Sequence, residues 1–428
     1  MCILWGVRVA EFLSSILDAA RHVLGEDYPL LKLFSFVLSP LLALWAFWAN
    51  IRNHRRLQQK GFKLGYLKAE VKQSRREVDE RTGQLREEQA KVRTREVRIR
   101  GLEDDLRRIT EGSNQLWKLR PNRPFAEYHN WRDRKRGATI ITVGHLKGGV
   151  GKTTIAANMA AYISTTLKRP VLLVDLDYQG SLSNGLMLAA EQTEVASHVD
   201  RLFDDDANLI TLDRARVHLT PVMDRGWLVP ASYPFAATEN RLLMRWILQE
   251  PDDIDVRYRL AHVLLRPEVR EGYAAIILDM PPRMTMGAVN ALIASHYVLV
   301  PTILDKLSAE AVSQFLSQLR GIKEDLDLEI DLAGIIPTIT QMEPRLVPRE
   351  TEALELVRAG AEAWDPTRDF IISRHLPKKA DIARAAGEDV AYNTASLRQI
   401  FDPIFDEVLT RIGVIEKAPA APDVPVGV

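Results

Sequence analysis

The chain has 428 residues, 27% of them charged, with a formal net charge of zero. That length holds one large domain with extensions, or two domains, and the charge balance gives no composition-level reason to expect a polyanion partner beyond local basic patches. The lone cysteine, Cys2, excludes a disulfide framework and any intrachain cysteine-pair metal site.

The first segment, residues 1–52, is read as an amphipathic stretch followed by a membrane anchor. Residues 7–24 place Phe12, Leu13, Ile16, Leu17, Ala20, Val23 and Leu24 on one helical face, suited to an interface or to packing as a hairpin on the next segment. Residues 33–51, LFSFVLSPLLALWAFWANI, carry no charge and end in Trp45 and Trp48. As a helix the run spans roughly 28 Å, about one hydrocarbon core. Arg52, Arg55, Arg56, Lys60, Lys63, Lys68 and Lys72 follow it, whereas few basic residues precede it. The asymmetry predicts a single-pass protein of the bacterial inner (cytoplasmic) membrane, with lipid as one partner and the C-terminal bulk in the cytoplasm.

Residues 53–118 then show a seven-residue period. Leu57, Leu64, Val71, Val78, Leu85, Val92, Ile99 and Leu106 form one apolar seam, which predicts a long helix or coiled coil. The companion position reads Leu67, Ser74, Arg81, Glu88, Arg95, Leu102 and Ile109, so the centre of the seam is weak. Residues 119–137, with Pro121, Pro124 and RDRKR, read as a linker or a strap.

From 138 to 415 short apolar runs alternate with helical stretches: 138–144, 171–175, 274–279, 297–301 and 332–337 are the strand candidates. The alternation predicts an α/β fold with a mostly parallel sheet flanked by helices. Residues 416–428 read as a disordered tail.

The first strand leads into HLKGGVGKTT, and a helix follows. Glycines let backbone N–H groups approach phosphate oxygens, and the helix N-terminus adds partial positive charge. Gly148, Gly149, Val150, Gly151, Lys152, Thr153 and Thr154 are therefore the candidate nucleotide cradle, with Lys152 reaching the β- and γ-phosphates and the Thr153 hydroxyl on Mg²⁺. The ordinary phosphate-loop pattern has a glycine where Leu146 stands. Asp175 and Asp279 end apolar strands, where carboxylates can hold Mg²⁺ directly or through water.

KGGVGKTT resembles the deviant Walker A loop of the ParA/MinD ATPases. VLLVDLDYQGSLSN resembles that family's first switch, and IILDMPPRMTMGAVNALIASHYVLVP its Walker B and second-switch region. Residue 178 is a tyrosine where the family often has proline. The resemblance covers about residues 138–410 and implies a P-loop NTPase fold of deviant Walker A type, with ATP and Mg²⁺ as cofactors and ATP hydrolysis as the activity. It implies that Lys147 crosses a nucleotide-sandwich dimer to the partner's phosphates, that Asp177 positions the attacking water, and that Pro337 and Thr338 lie where adenine is held.

The leading expectation is a membrane-tethered, slowly turning-over ATPase that uses ATP-dependent dimerisation to position or recruit an unknown protein partner or activator. Its homodimer or higher oligomer would form through the coiled coil and the ATP sandwich. Alternatives are a nucleotide-gated scaffold in a defence or secretion assembly, and a polysaccharide co-polymerase or tyrosine-kinase-like protein; the tail, which has no tyrosine, argues against the latter. The lone cysteine excludes the cluster-bearing reductases and zinc-clasped targeting ATPases of this fold. DNA binding through Lys378, Lys379 and Arg384 is possible but not favoured, because a membrane anchor would oblige one molecule to hold two surfaces.

Overall fold

A computed structural model of the chain describes residues 62–110, 116–134, 136–192, 194–341, 346–385 and 389–416, with scattered positions before residue 62. The chain divides into two units, residues 1–104 and 105–428.

In the first unit the long helix begins. Helix α1, Phe62–Thr110, is continuous over its 49 residues. Of the apolar seam, Val71, Val78 and Leu85 are half-buried, and Val92 and Ile99 are exposed. Lys91 forms i,i+4 and i,i+3 ion pairs with Glu87 and Glu88. Such pairs support an exposed helix modestly.

The expectation of a single-pass membrane protein is corrected. Among the described residues no helix is long and apolar enough to cross a membrane. The longest, α1, carries charged residues along its whole length, and each one would have to be desolvated in hydrocarbon. The run 33–51 and the face at 7–24 lie outside the described residues apart from scattered positions, as does the tail from 417.

The second unit is built on one eight-stranded sheet in the order β3-β4-β2-β5-β1-β6-β7-β8. The strands are β1 Thr139–Val143, β2 Val171–Asp175, β3 Val217–His218, β4 Gly226–Val229, β5 Ala275–Asp279, β6 Tyr297–Ile303, β7 Asp331–Thr340 and β8 Leu376–Pro377. All pair in parallel except β3 with β4. Each run expected to be a strand is one. The strands β3, β4 and β8 are additions, because each is too short to show a period.

The helices that follow α1 are α2 Tyr128–Trp131, α3 Lys152–Thr165, α4 Ser181–Ala189, α5 Leu209–Ala215, α6 Pro234–Ile247, α7 Arg259–Leu264 and α8 Pro267–Arg270. They continue with α9 Met286–Ala294, α10 Lys306–Asp325, α11 Pro348–Glu362, α12 Ala380–Ala385 and α13 Ala395–Arg411.

Successive strand residues serve opposite faces of the sheet. Ile140, Leu172, Val174, Ile276, Leu278 and Val298 pack with residues of α6, α7, α9 and α10, whereas Ile141, Val143, Leu173, Ile277 and Leu299 pack with residues of α3 and α13. Both faces are covered, which is why these strands read as continuous apolar runs. Each fully buried Leu or Ile contributes about 1.5–3 kcal/mol of transfer free energy.

Of the two readings of residues 119–137, linker or strap, the contacts are those of a strap fixed to this unit. Arg132, 2% exposed, donates to the carbonyls of Ile293 and Ser295 at the end of α9. Tyr128 donates to the Ile293 carbonyl at 2.8 Å, and Asn122 to that of Leu326 at 2.6 Å. From the body of the domain, Arg257 reaches back to the carbonyls of Trp117 and Pro121, and Trp246 to that of Leu116. A strap with few backbone partners of its own needs such donors when it is buried. The second unit, from Asp105, includes this strap.

Candidate functional site

The site forms where the carboxyl ends of β1, β2 and β5 meet. Parallel strands of an open α/β sheet deliver their loops to that edge, and ligands bind there. Between β1 and α3 the chain turns through Gly149 at φ 74° and Gly151 at φ 92°, a region L-residues with a Cβ avoid. A Cβ at Gly148 or Gly149 would meet nothing within 4 Å, so the rim is open to a ligand. Helix α3 has no acidic residue in its first turn, which leaves its positive end uncompensated.

Lys152 opens α3 and is 7% exposed. Its ammonium donates to the Lys147 carbonyl at 2.9 Å. Burial lowers its pKa from the ordinary lysine value, and the Asp279 and Asp177 carboxylates oppose that shift. Next along the helix, the Thr153 hydroxyl donates to Asp279 Oδ2 at 2.8 Å. Asp279 Oδ1 is buried with no hydrogen-bond partner. Burial, and then the neighbouring Asp175, hold the Asp279 pKa well above the usual carboxylate range.

Asp175 lies directly across from Asp279 in the ladder. Its Oδ1 accepts the Asp177 N–H, and its Oδ2 accepts both the N–H and the hydroxyl of Ser183. Burial nevertheless pushes its pKa up to about 6, against the pull of those bonds. Two buried carboxylates with raised pKa values, one orphaned oxygen and a hydroxyl make a hard-oxygen donor set, which fits Mg²⁺. The residues expected to face the metal, Thr153, Asp175 and Asp279, are thus brought together.

Asp177 is half-buried in the loop after β2, and its Oδ1 caps the Gln179 N–H at 3.1 Å. Lys147 lies on the rim, its side chain one-third exposed. Its ammonium donates to Ser308 Oγ at 2.7 Å and pairs with Asp305 at 3.3 Å. It is therefore held within its own chain at the start of α10, and not left as a free surface charge.

Thr154 is half-buried on the first turn of α3. Pro337 and Thr338, expected beside adenine, are buried within β7. The Thr338 hydroxyl donates to the Val150 carbonyl at 2.8 Å, and its side chain lies 3.7 Å from where a Gly151 Cβ would be. Thr338 thus braces the glycine loop from behind.

Sequence reading missed His145, Ser183, Asp305 and Ser308. His145 Nδ1 accepts the Lys147 N–H at 2.8 Å. Burial, together with Lys152 and Lys147, lowers the His145 pKa to about 4, so the imidazole stays neutral and keeps that lone pair. The Asp305–Ser308 spacing is a helix N-cap pattern and was legible as such. That Lys147 would join the cap was not.

A family model described as "AAA domain" matches residues 138–332. The chain is similar to the sporulation initiation inhibitor protein Soj of Bacillus subtilis, 32% identical over 47% of this chain and 72% of that protein. It is also similar to the chromosome-partitioning ATPase Soj of Thermus thermophilus, 33% identical over 46% of this chain and 68% of the relative. Among solved structures, an ATP complex of a Cyanothece McdA variant superposes with a TM-score of 0.54 at 17% identity, covering 66% of this chain and 100% of that one. That last likeness is one of fold.

Proposed function

The chain belongs to the Soj/ParA family of P-loop ATPases, and from that premise we propose that it binds and slowly hydrolyses MgATP and dimerises in the ATP state, using the dimer as a switch that positions or recruits a partner. One observation carries this reading: Lys152, Thr153 and the half-satisfied Asp279 converge at the open glycine loop, at the carboxyl edge of a parallel sheet.

Lys152 gives up its contact to the Lys147 carbonyl and takes the β- and γ-phosphate charge. The backbone N–H groups of residues 148–152 line the phosphates, and the α3 N-terminus adds its partial charge. Bound Mg²⁺ would neutralise charge developing on the phosphates, held by Thr153 with Asp175 and Asp279. Asp177 orients the attacking water. Lys147 exchanges Ser308 and Asp305 for the partner's phosphates. The Lys147–Asp305 pair is partly solvated, and a partly solvated ion pair is worth little, so the exchange is not a large barrier. The seam on α1 would hold two copies together before nucleotide arrives, raising the effective concentration of one head for the other.

Lys378, Lys379 and Arg384, the candidates for a nucleic-acid surface, are exposed, and Arg384 also pairs with Asp381 at 3.5 Å.

The test is the rate of phosphate release per chain in wild type and Lys147→Ala, over a range of protein concentrations at saturating MgATP. Wild type should turn over faster, and the variant should lose that excess while keeping its ATP affinity. Equal rates at every concentration would remove the sandwich dimer from the mechanism.

A further inference from the structure

The loop after β2 carries Asp177, and the loop after β5 leads from Asp279 into α9. The strands are parallel neighbours, and the ladder runs one residue beyond them, where the Leu176 N–H donates to the Asp279 carbonyl at 3.0 Å. Further out, a side-chain tie joins the two loops. An Arg283 Nη donates to the Tyr178 hydroxyl at 2.9 Å, and the guanidinium carbon lies 5.6 Å from the centroid of the Tyr178 ring.

Tyr178 adjoins Asp177, and its ring meets Tyr233 edge-on, with centroids 6.1 Å apart and planes at 82°. Tyr233 stands immediately before α6. Further along α6, the buried Glu239 turns back to the loop after β5, accepting the Thr285 hydroxyl and the Gly287 N–H. The approach is close: a Cβ at Gly287 would sit 2.7 Å from Glu239 Oε1 and 3.1 Å from Phe235 Cζ, so a side chain there would displace Glu239. The contacts close a ring: Tyr178 to Arg283, along the loop to Thr285, across to Glu239, back down α6 to Tyr233, and on to Tyr178.

We propose that Arg283 and Tyr178 are a positioning pair for hydrolysis, tying the two loops so that Asp177 reaches its working place together with the loop that follows Asp279. This rests on the ATPase reading above. Two untied loops must each lose conformational freedom before the reaction, whereas tied loops order as one. The residue types suit the task. A guanidinium spreads its charge over several N–H donors, so one can bond the hydroxyl while the cation stays within reach of the ring. A phenol supplies both the ring and the acceptor oxygen. Arg283 is exposed, so the pair tunes the rate and does not make or break the site.

The test uses the full chain with Arg283→Ala, Tyr178→Phe and the double variant. ATP affinity is read by titration and kcat by phosphate release. Arg283→Ala should lower kcat by about three- to tenfold with ATP affinity unchanged, the scale of one surface hydrogen bond plus one cation–π contact. Tyr178→Phe should lower it less, because the ring remains. The double variant should be no slower than Arg283→Ala alone, since both substitutions cut one tie. A double variant slowed by the product of the single effects, or an unchanged kcat in Arg283→Ala, overturns the proposal. Amide exchange in the nucleotide-free chain gives an independent readout. Arg283→Ala should speed exchange at Gln179 and Gly180, whose N–H groups are bonded to Asp177 in the loop it ties. Unchanged exchange there overturns the pair even if wild type proves to hydrolyse no ATP, an outcome that would separately sink the ATPase reading.

Discussion

Helices α3 and α1 show opposite ways for a sequence to hold a helix. Helix α3 has 14 residues and buries most of them, including the charged Lys152. Helix α1 has 49 residues, and from Arg86 to Gly101 every one is exposed. A helix apolar on all sides is held by the domain around it, whereas a charged helix relies on its own propensity, its i,i+4 pairs, or a partner. A charge in the first setting is desolvated and fixed, so removing it has consequences. A charge in the second is solvated and replaceable.

The largest effects should therefore lie at the head of α3. Lys152→Ala should abolish ATP binding in a nucleotide titration, because the phosphates lose their principal cation within the chain. Asp177→Ala, on the neighbouring loop, should keep binding and slow turnover by roughly ten- to a thousandfold. Equal loss of binding in both variants would show that Asp177 holds the nucleotide and not the water.

The strap extends the buried side of the comparison. Arg132→Met removes a donor from each of the Ile293 and Ser295 carbonyls; Tyr128 still serves Ile293, and the Ser295 carbonyl loses its side-chain donor. Urea denaturation should show a loss of about 3 kcal/mol. A change within error would favour the linker over the strap among the two sequence readings of residues 119–137.

The carboxylate pair gives a smaller effect, with a sign set by pH. The folded-state pKa values of Asp175 and Asp279 are raised by burial, Asp175 to about 6. Stability from such groups is complete below their unfolded pKa and declines as pH rises through the folded value. Asp279→Asn should therefore stabilise the nucleotide-free chain at pH 7.5 by on the order of 1 kcal/mol, with the gain shrinking towards pH 5. Added MgATP should reverse the ranking in a thermal melt, since the variant keeps Asp175 but has lost the second of the two carboxylates that face the metal. A variant no more stable than wild type at pH 7.5 would mean that the pair is not strained in the absence of metal.

The smallest effect belongs to α1. Lys91→Ala breaks its ion pairs with Glu87 and Glu88 and should leave the melting temperature unchanged. Leu85→Asp sharpens the contrast. If α1 pairs with a second copy, sedimentation of the nucleotide-free chain should show a dimer converted to a monomer. The same mass for both proteins would make α1 a solitary solvated helix.

The sequence by itself determined the parallel α/β sheet and the cradle. Continuous apolar runs mark strands buried on both faces, and the spacing in KGGVGKTT is local chain geometry, so Gly149, Gly151, Lys152 and Thr153 could be placed from neighbours alone. The positions of Asp175 and Asp279 at strand ends were legible for the same reason. Tertiary structure decided what depends on residues far apart in the chain. That Asp175 and Asp279 are opposite one another follows from β2 and β5 pairing across about a hundred residues. That residues 119–137 are a strap follows from buried arginines on both sides of the contact, which no period announces. Likewise Lys147 meets Asp305, Thr338 meets Val150, and Tyr178 meets Arg283 only because the strand order brings those loops to one edge. Helix and strand periods record which side of an element is dry; which donor finds which acceptor is fixed only when the sheet is assembled.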